Sequence, residues 1–196
     1  MIILASKSPR RAQILELLGV EFRVEAPCCE ENTDGIPLKN IPRELAKRKA
    51  LEVSAKFPNE FALGSDTLVF CENELLGKPK NKENAYEMLK KLRNKTHEVI
   101  SGLAFCQNSK ILFAGESQTE VHFRDYSDLE ILNYISTMEY ADKAGAYGAQ
   151  GKGARFIKSI NGCFYNVMGL PIALTMEALN KIKQTENLWQ KNRKII

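Results

Sequence analysis

The opening segment "MIILASKSPRRAQILELLG" (1–19) sets the expectation for the fold. Its first residues predict a short apolar strand, and a small polar loop connects this strand to a helix. Ser8 is a favourable helix N-cap, Pro9 suits the first helical position, and Gly19 is a natural stop. Apolar residues recur at helical spacing and form one apolar stripe, made of Ile14, Leu15, Leu17 and Leu18. The segment therefore predicts a strand followed directly by a helix.

Two arginines at the start of this helix depart from the local pattern. A helix N-terminus favours acidic neighbours, yet Arg10 and Arg11 stand there. The loop and the helix start offer free backbone N–H groups, which bind anions, and arginine can hold phosphate oxygens through two hydrogen bonds. The segment is a candidate phosphate site. Two arginines that simply face water are the alternative that these residues leave open.

Helical and extended patterns alternate along the rest of the chain. Extended patterns cover 20–27, both arms of a hairpin within 61–79 and both arms of a longer hairpin within 96–123. Helical patterns cover 41–57, 81–95, 127–137 and 171–182. The order predicts an α/β fold with a mixed, twisted sheet flanked by helices, in two lobes around a cleft. We expect a single domain over 1–183 and a basic tail over 184–196.

The composition is typical of a soluble globular protein. Of the 196 residues, 44% are hydrophobic and 27% charged, with no apolar run that could span a bilayer and no secretory signal. Five cysteines without a CxxC pair predict neither a disulfide framework nor a zinc site, and favour the cytoplasm. The net charge of +4 does not require a nucleic acid or a membrane as partner. The basic tail is most simply a solvated helix end, with nucleic-acid binding as the alternative.

Acidic residues occur in two suggestive places. Asp66 in "LGSDTLVF" (63–70) stands between apolar runs, where a carboxylate is costly unless it is paired, hydrogen-bonded or bound to a metal. Strand ends in α/β sheets bind ligands, which favours a functional role over a structural cap. In "CCEEN" (28–32), Glu30 or Glu31 could supply a second carboxylate for a divalent cation, although an exposed acidic pair is usually just solvated.

Lysines and glycines complete the set. Lys49 shares a helical stripe with apolar residues, and Lys78 in "LLGKP" ends a hairpin strand; lysines aimed at a cleft suit phosphates. In "GAYGAQGKG" (145–153) the glycines permit a close backbone approach, and Gln150 can both donate and accept hydrogen bonds, as reading a base edge requires. A solvent-facing lysine and a flexible turn are the plainer interpretations. Together these groups suit metal-assisted phosphoanhydride chemistry better than acyl transfer or redox work.

Several motifs in this order resemble the Maf family of nucleoside triphosphate pyrophosphatases. They are "LASKSPRRAQILELLG" (4–19), "ELAKRKA" (44–50), "LGSDTLV" (63–69), "LLGKP" (75–79), "TEVHFR" (119–124) and "DKAGAYGAQGKGARFIKSINGCFYNVMGLP" (142–171). The resemblance implies an inosine triphosphatase-like fold and hydrolysis of a nucleoside triphosphate to the monophosphate and pyrophosphate, with Mg²⁺ or Mn²⁺. The glycine-rich segment looks like that of the branch that acts on dTTP and UTP.

The resemblance also implies roles for single residues. Asp66 takes the place of the proton acceptor and, with Glu31, of the metal ligands, while Lys49 and Lys78 act on the substrate. The remaining positions that the resemblance assigns to substrate contact or specificity are Ser8, Arg10, Arg11, Thr67 and Gln150. "CCEEN" departs from the family pattern, so the choice between Glu30 and Glu31 stays open.

Other hypotheses remain open at this point. The substrate could be 7-methyl-GTP or another non-canonical nucleotide, because one amide can read several bases. Maf relatives are also linked to inhibition of septum formation, so the chain could instead bind DNA or a division protein. A homodimer is a further hypothesis for which no single residue argues.

Overall fold

The computed structural model describes residues 1–30 and 32–193, with side chains up to 183. Within these residues the chain forms seven strands, six α-helices and three short 3-10 helices. The strands are β1 (Ile2–Ala5), β2 (Phe22–Glu25), β3 (Phe61–Cys71), β4 (Glu74–Leu76), β5 (Thr96–Gln107), β6 (Lys110–Phe123) and β7 (Ile157–Asn161). The α-helices are α1 (Pro9–Leu17), α2 (Ile41–Lys56), α3 (Lys82–Leu92), α4 (Asp128–Ile135), α5 (Phe164–Met168) and α6 (Ile172–Arg193).

All seven strands belong to one mixed sheet. Six follow the order β2-β1-β3-β5-β6-β7, and β4 pairs with β3. β1 is parallel to β2 on one side and to β3 on the other, whereas β4 and β7 pair antiparallel with their neighbours. The predicted mixed α/β sheet is confirmed.

The chain divides into two compact units. The first unit contains Met1–Asp66, Gly102–Glu116 and Leu170–Ile196, and the second unit contains Thr67–Ser101 and Ser117–Gly169. The long strands β3, β5 and β6 each contribute residues to both units. Two units are in line with the two predicted lobes, whereas the cleft stays a prediction.

The first unit is organised by helix α2. One face of α2 contacts β1 and β3 in an apolar cluster formed by Ile3, Ala5, Val53 and Ala62. Another face contacts β5 in a cluster of small side chains, formed by Ala46, Ala50, Ala104 and Cys106. A Cβ atom added at Gly64 would lie 2.2 Å from the Ala46 carbonyl oxygen, and one at Gly102 would lie 2.2 Å from the Pro42 carbonyl oxygen. Glycine at these two positions therefore lets α2 approach the strands closely.

The second unit has a larger core, rich in aromatic rings. Phe123 stacks edge-on with Tyr147, their ring centroids 4.8 Å apart, and the His97 ring packs edge-on against both. His97 is buried, and its Nε2 lies 2.8 Å from the Tyr147 hydroxyl. Burial lowers the pKa of His97 to about 3, because the charged imidazolium would lose its hydration. The ring is therefore a neutral part of the core.

The first helix differs from expectation in two details. Ser8 stands at the N-cap position of α1, but its side chain makes no capping hydrogen bond, and its backbone N–H donates to Ser6 Oγ at 3.2 Å. Leu17 is 63% exposed although it belongs to the apolar stripe, and Ile14 and Leu15 are the buried members of that stripe. The helix is short, and two buried side chains suffice to hold it on the sheet. In the described part of the chain, every helix is too short or too polar to cross a membrane.

Candidate active site

Two parallel strands of the first unit, β1 and β2, end at one edge of this part of the sheet, and β3 continues past that edge to Cys71. Ala5, the last residue of β1, pairs with Glu25 at the end of β2 and with Gly64 of β3. The loop 6–8 therefore leaves β1 at the same edge at which the loop 26–37 leaves β2. Asp66 follows Gly64 by two residues along β3, so it lies just beyond this edge. Ligands of α/β proteins bind at the carboxyl ends of parallel strands.

A buried ion pair marks this edge. The Lys49 Nζ donates to Asp66 Oδ1 at 2.5 Å, and the two residues are only 9% and 8% exposed. Lys49 reaches the carboxylate from the buried face of α2, where the sequence placed it. A buried charge is tolerated when it is paired, and here the pair sets an acceptor carboxylate beside an ammonium donor. Those are the groups that a proton transfer next to phosphate requires.

The loop between β1 and α1 forms the second part of the site. Arg11 Nη1 donates to Ser6 Oγ at 2.9 Å, so its guanidinium turns back toward the start of its own helix. The first turn of α1 contains no acidic residue, and Arg10, Arg11 and Ser8 are half-buried. Positive charge thus gathers at a helix N-terminus, as the candidate phosphate site predicts. Ser6 was missed by the sequence analysis; its position directly after an apolar strand was the available signal.

The loop after β2 is held against α2. The backbone N–H of Cys28 donates to Glu52 Oε2 at 2.8 Å, and the Arg48 guanidinium donates to the carbonyl oxygen of Asn32. A cavity of about 480 Å³ opens here, lined by Cys29, Glu30, Asn32, Asp34 and Arg48. Glu30 is exposed on this wall, whereas Glu31 lies outside the described residues.

The second unit presents neutral hydrogen-bonding groups. Thr67 follows Asp66 in β3, and its Oγ1 lies 2.7 Å from Ser101 Oγ. Ser101 Oγ donates to the carbonyl oxygen of Asn166 at 3.1 Å, and the Asn166 amide donates to Val99 and Thr119. Ser101 and Asn166 are fully buried. Both were missed by the sequence analysis, although Asn166 interrupts the apolar run "FYNVMG" and was the available signal.

The remaining predicted residues lie in two neighbouring loops of the second unit. Lys78 is exposed, two residues beyond β4, and Gln150 is exposed in the glycine-rich loop. The Gly145 backbone N–H donates to the Gly77 carbonyl oxygen at 3.1 Å, which joins the two loops. Ser8, Arg10, Arg11, Lys49 and Asp66 thus gather at one edge of the first unit, whereas Thr67, Lys78 and Gln150 belong to the second.

Comparison with known proteins identifies the family. The model of the family described as "Maf-like protein" matches residues 1–182. This chain is a member of the Maf family. A dTTP/UTP pyrophosphatase of Aquifex aeolicus (strain VF5) is 45% identical over 183 residues, which cover 92% of this chain and 95% of that protein. The dTTP/UTP pyrophosphatase of Pyrococcus abyssi (strain GE5 / Orsay) is 42% identical over 179 residues, covering 91% and 95%.

The Maf chain also resembles a solved structure. A HAM1 protein from Coxiella burnetii superposes with a TM-score of 0.51 at 17% identity, over 94% of this chain and 98% of that one. At this identity the likeness concerns the fold alone. The family and the fold class expected from the motifs are both confirmed.

A divalent cation at this site of the Maf chain would need ligands besides the described side chains. Among the described residues, His, Cys, Asp and Glu side chains do not gather in threes that could hold an ion by themselves. Mg²⁺ needs no such cage, because it is usually bound by one or two carboxylates together with substrate phosphates. The Asp66 carboxylate, beside the helix start that suits phosphate, is compatible with an ion that binds with its nucleotide.

Proposed function

We propose that this Maf protein hydrolyses pyrimidine nucleoside triphosphates of the dTTP and UTP type to the monophosphate and pyrophosphate. The observation on which the proposal depends is the buried Lys49–Asp66 pair at the sheet edge from which α1 begins. This arrangement sets a proton acceptor beside cationic groups suited to phosphate. The relatives named dTTP/UTP pyrophosphatase, at more than 40% identity over nine-tenths of this chain, support the same reaction.

The triphosphate chain binds to the cationic groups. Arg11 and the backbone N–H groups at the start of α1 bind phosphate oxygens, with Ser8 adding a hydroxyl donor. Arg10, Lys49 and Lys78 neutralise further charge. Binding an anion there removes the unfavourable repulsion between the arginines and the helix N-terminus.

Asp66 acts as the general base. It accepts a proton from a water molecule, whose oxygen forms a bond to the α-phosphorus in line with the bridging oxygen. The bond between the α-phosphorus and that bridging oxygen breaks, and pyrophosphate leaves with the electron pair. Lys49 stabilises the negative charge of the buried carboxylate before the transfer. Once the carboxylate is neutral, the ammonium of Lys49 is available to the phosphate oxygens.

A divalent cation, Mg²⁺ or Mn²⁺, would be held by Asp66 with Glu30 or Glu31. When bound, it neutralises phosphate charge and makes the α-phosphorus more electrophilic. The hydrogen bond from Lys49 limits the rotation of the Asp66 carboxylate.

Base selection is assigned to neutral groups. Thr67 and Gln150 offer a hydroxyl and an amide, which can match the N–H and C=O edge of thymine or uracil. The charged Arg10, which the resemblance to the family also assigns to specificity, contributes to the choice as well.

Pyrophosphate release from a panel of canonical, methylated and damaged nucleoside triphosphates, with Mg²⁺ or Mn²⁺, tests the proposal. We expect the highest kcat/KM for dTTP and UTP. A clear preference for 7-methyl-GTP or another non-canonical nucleotide would replace the proposed substrate, and no release from any nucleotide would refute the enzymatic function.

The domain assignment is tested separately. We propose that residues 1–183 form the catalytic domain and that catalysis does not need the tail 184–196. The truncated chain should keep wild-type kcat/KM for dTTP. A loss of activity would refute this boundary. Because the tail is the sequence feature that favours DNA binding, binding of a DNA duplex that is lost on truncation would support the rival hypothesis of a binding protein.

A further inference from the structure

The glycine-rich loop of the second unit is built around one carboxylate, that of Glu139. The backbone N–H of Lys152 donates to Glu139 Oε2 at 2.8 Å, and that of Gly153 donates to Oε1 at 3.1 Å. Glu139 comes from the segment after α4, outside the loop itself. Its side chain therefore holds two consecutive backbone amides of the loop in fixed positions.

A tight turn closes over the same carboxylate. The Gly151 N–H donates to the Gly148 carbonyl oxygen at 3.2 Å, so that Ala149 and Gln150 form the two central residues of the turn. A Cβ atom added at Gly148 would lie 2.8 Å from Glu139 Oε1, and one added at Gly151 would lie 2.5 Å from the same oxygen. Glycine at both corners of the turn lets the backbone come this close without displacing the Glu139 carboxylate.

Tyr134 completes the arrangement from the core side. The Gly148 N–H donates to the Tyr134 hydroxyl at 3.2 Å, and that hydroxyl donates to Glu139 Oε1 at 3.4 Å. Burial, followed by the negative charge of Glu139, raises the pKa of Tyr134, so the hydroxyl stays a donor at neutral pH. The turn is thus tied to Glu139 before Gln150, through Gly148, and after it, through Lys152 and Gly153.

We propose that Glu139 is the positioning residue for Gln150, and hence a determinant of which base the enzyme accepts. The proposal rests on the proposed function, in which the Gln150 amide reads the base. A single amide discriminates bases only if its direction is fixed, because a rotating amide can exchange its donor and acceptor. Glu139 fixes the backbone on both sides of Gln150, within the second unit.

The carboxylate is chemically suited to this position. Two backbone N–H groups and one hydroxyl point at it, and a carboxylate is acceptor-only, with two oxygens to share among three donors. A glutamine at 139 has one acceptor oxygen, and its NH₂ group would face an N–H donor. Glu139→Gln therefore changes the volume little but releases at least one of the two amides.

The first measurement needs no nucleotide. Hydrogen–deuterium exchange at the amides of Lys152 and Gly153 should become at least about tenfold faster in Glu139→Gln, because a charge-assisted hydrogen bond is lost. Exposed Glu87 on α3 offers a matched control, since Glu87→Gln makes the same charge change away from the loop. Unchanged exchange in Glu139→Gln would overturn the proposal even in a chain without activity.

The second measurement separates positioning from a merely structural role. In Glu139→Gln, the ratio of kcat/KM for dTTP to kcat/KM for dCTP and GTP should fall about tenfold, while kcat for dTTP changes less than about threefold. Gln150→Ala should lower the ratio similarly, and the double variant should be no worse than either single one. Glu139→Ala gives a second test if the glutamine variant is poorly folded by circular dichroism.

The outcomes distinguish two kinds of failure. If Gln150→Ala lowers the ratio and both Glu139 variants leave it unchanged, the positioning role is overturned while the proposed function stands. If the wild-type chain hydrolyses no nucleotide, the proposed function fails, and with it the role in base choice. A general loss of kcat for every nucleotide, at constant ratio, would show that Glu139 only stabilises the fold and would also overturn the proposal.

Discussion

The two units bury polar groups of opposite character. In the first unit, the buried polar side chains of the described residues include an ion pair, Lys49 and Asp66. In the second unit they are neutral, namely His97, Ser101, Thr119 and Asn166. Burying a charge costs far more than burying a hydroxyl or an amide, even when both are hydrogen-bonded. The first unit therefore retains a costly arrangement that the second unit avoids.

This difference suggests how the reaction is divided between the units. Charged groups in a low-dielectric setting act strongly on a phosphate chain, whose charge is the same in every nucleotide. Neutral donors and acceptors suit a base edge, which is uncharged and differs among nucleotides. Apart from those at Arg10, substitutions in the first unit should lower activity toward all nucleotides alike, whereas those in the second should change the ranking of nucleotides.

Asp66→Asn gives the largest expected effect. The amide cannot accept the proton from water, so kcat/KM should fall about 10³-fold for every nucleotide with the ranking unchanged. Pyrophosphate release and thermal unfolding should be measured together, with Asp125→Asn in the second unit as the exposed control. Turnover within a few-fold of wild type would show that Asp66 is not the general base.

The Lys49–Asp66 pair makes a prediction about stability. Lys49→Met leaves a buried carboxylate without its partner and should lower the free energy of unfolding by about 3 kcal/mol. In the double variant Lys49→Met/Asp66→Asn the loss should be smaller than the sum of the single losses by about 1 kcal/mol or more. The free energies of unfolding of the wild type, the two single variants and the double variant should be measured in urea to complete this double-mutant cycle. If the losses of the single variants add up to that of the double variant, the two charges do not stabilise each other.

The two arginines of α1 test whether the first unit acts on phosphate alone. Both belong to that unit, but Arg10 is also assigned a part in base selection. Arg11→Ala should lower kcat/KM about 30-fold for all nucleotides, since it removes a charge-assisted phosphate contact. Arg10→Ala should lower it less and should also change the ranking of dTTP against other nucleotides. An unchanged ranking would remove Arg10 from base selection and make the division between the units complete.

His97 gives the smallest effect, which concerns pH. Its pKa is about 3 in the folded chain and near 6.5 when unfolded, so below pH 6.5 the unfolded state binds the extra proton. Stability should therefore fall with decreasing pH, and His97 should account for about 2 kcal/mol between pH 7.5 and 5. His97→Gln should show a flatter pH dependence of unfolding, and equal slopes for the two chains would contradict the neutral buried ring.

Periodicity and turn chemistry were enough to predict most of the fold. Local patterns correctly predicted the strand–loop–helix start, helix α2 with Lys49 on its buried face, and the hairpin of β5 and β6. In these segments the tertiary packing agrees with the local preference. Leu17 shows the limit of such patterns, because a nine-residue helix turns only one narrow face to the sheet. The spacing of apolar residues alone cannot distinguish the residues that are buried on that face from those that flank it and stay exposed.

The site was predicted less completely, and the reason lies in long-range pairing. Asp66 stands out locally, because a carboxylate between apolar runs needs a partner. Ser101 does not stand out, and Asn166 shows only a polar residue within an apolar run, since the hydrogen bond between them joins residues 65 positions apart through a backbone carbonyl. Glu139 likewise looks like an ordinary surface residue until the loop that follows is folded around it. Hydrogen bonds of side chains to distant backbone have no signature in a single sequence.

The glycines at 64 and 102 have a consequence for redesign of this enzyme. They fix the gap between α2 and the strands, and the gap fixes how long a side chain at 49 must be to meet Asp66. The distance between α2 and the strands and the length of the side chain at 49 therefore depend on each other, although different residues determine them. An enzyme rebuilt with alanine at 64 would have to move its helix outward and would need a longer cation at 49, which makes these positions a unit to be exchanged together.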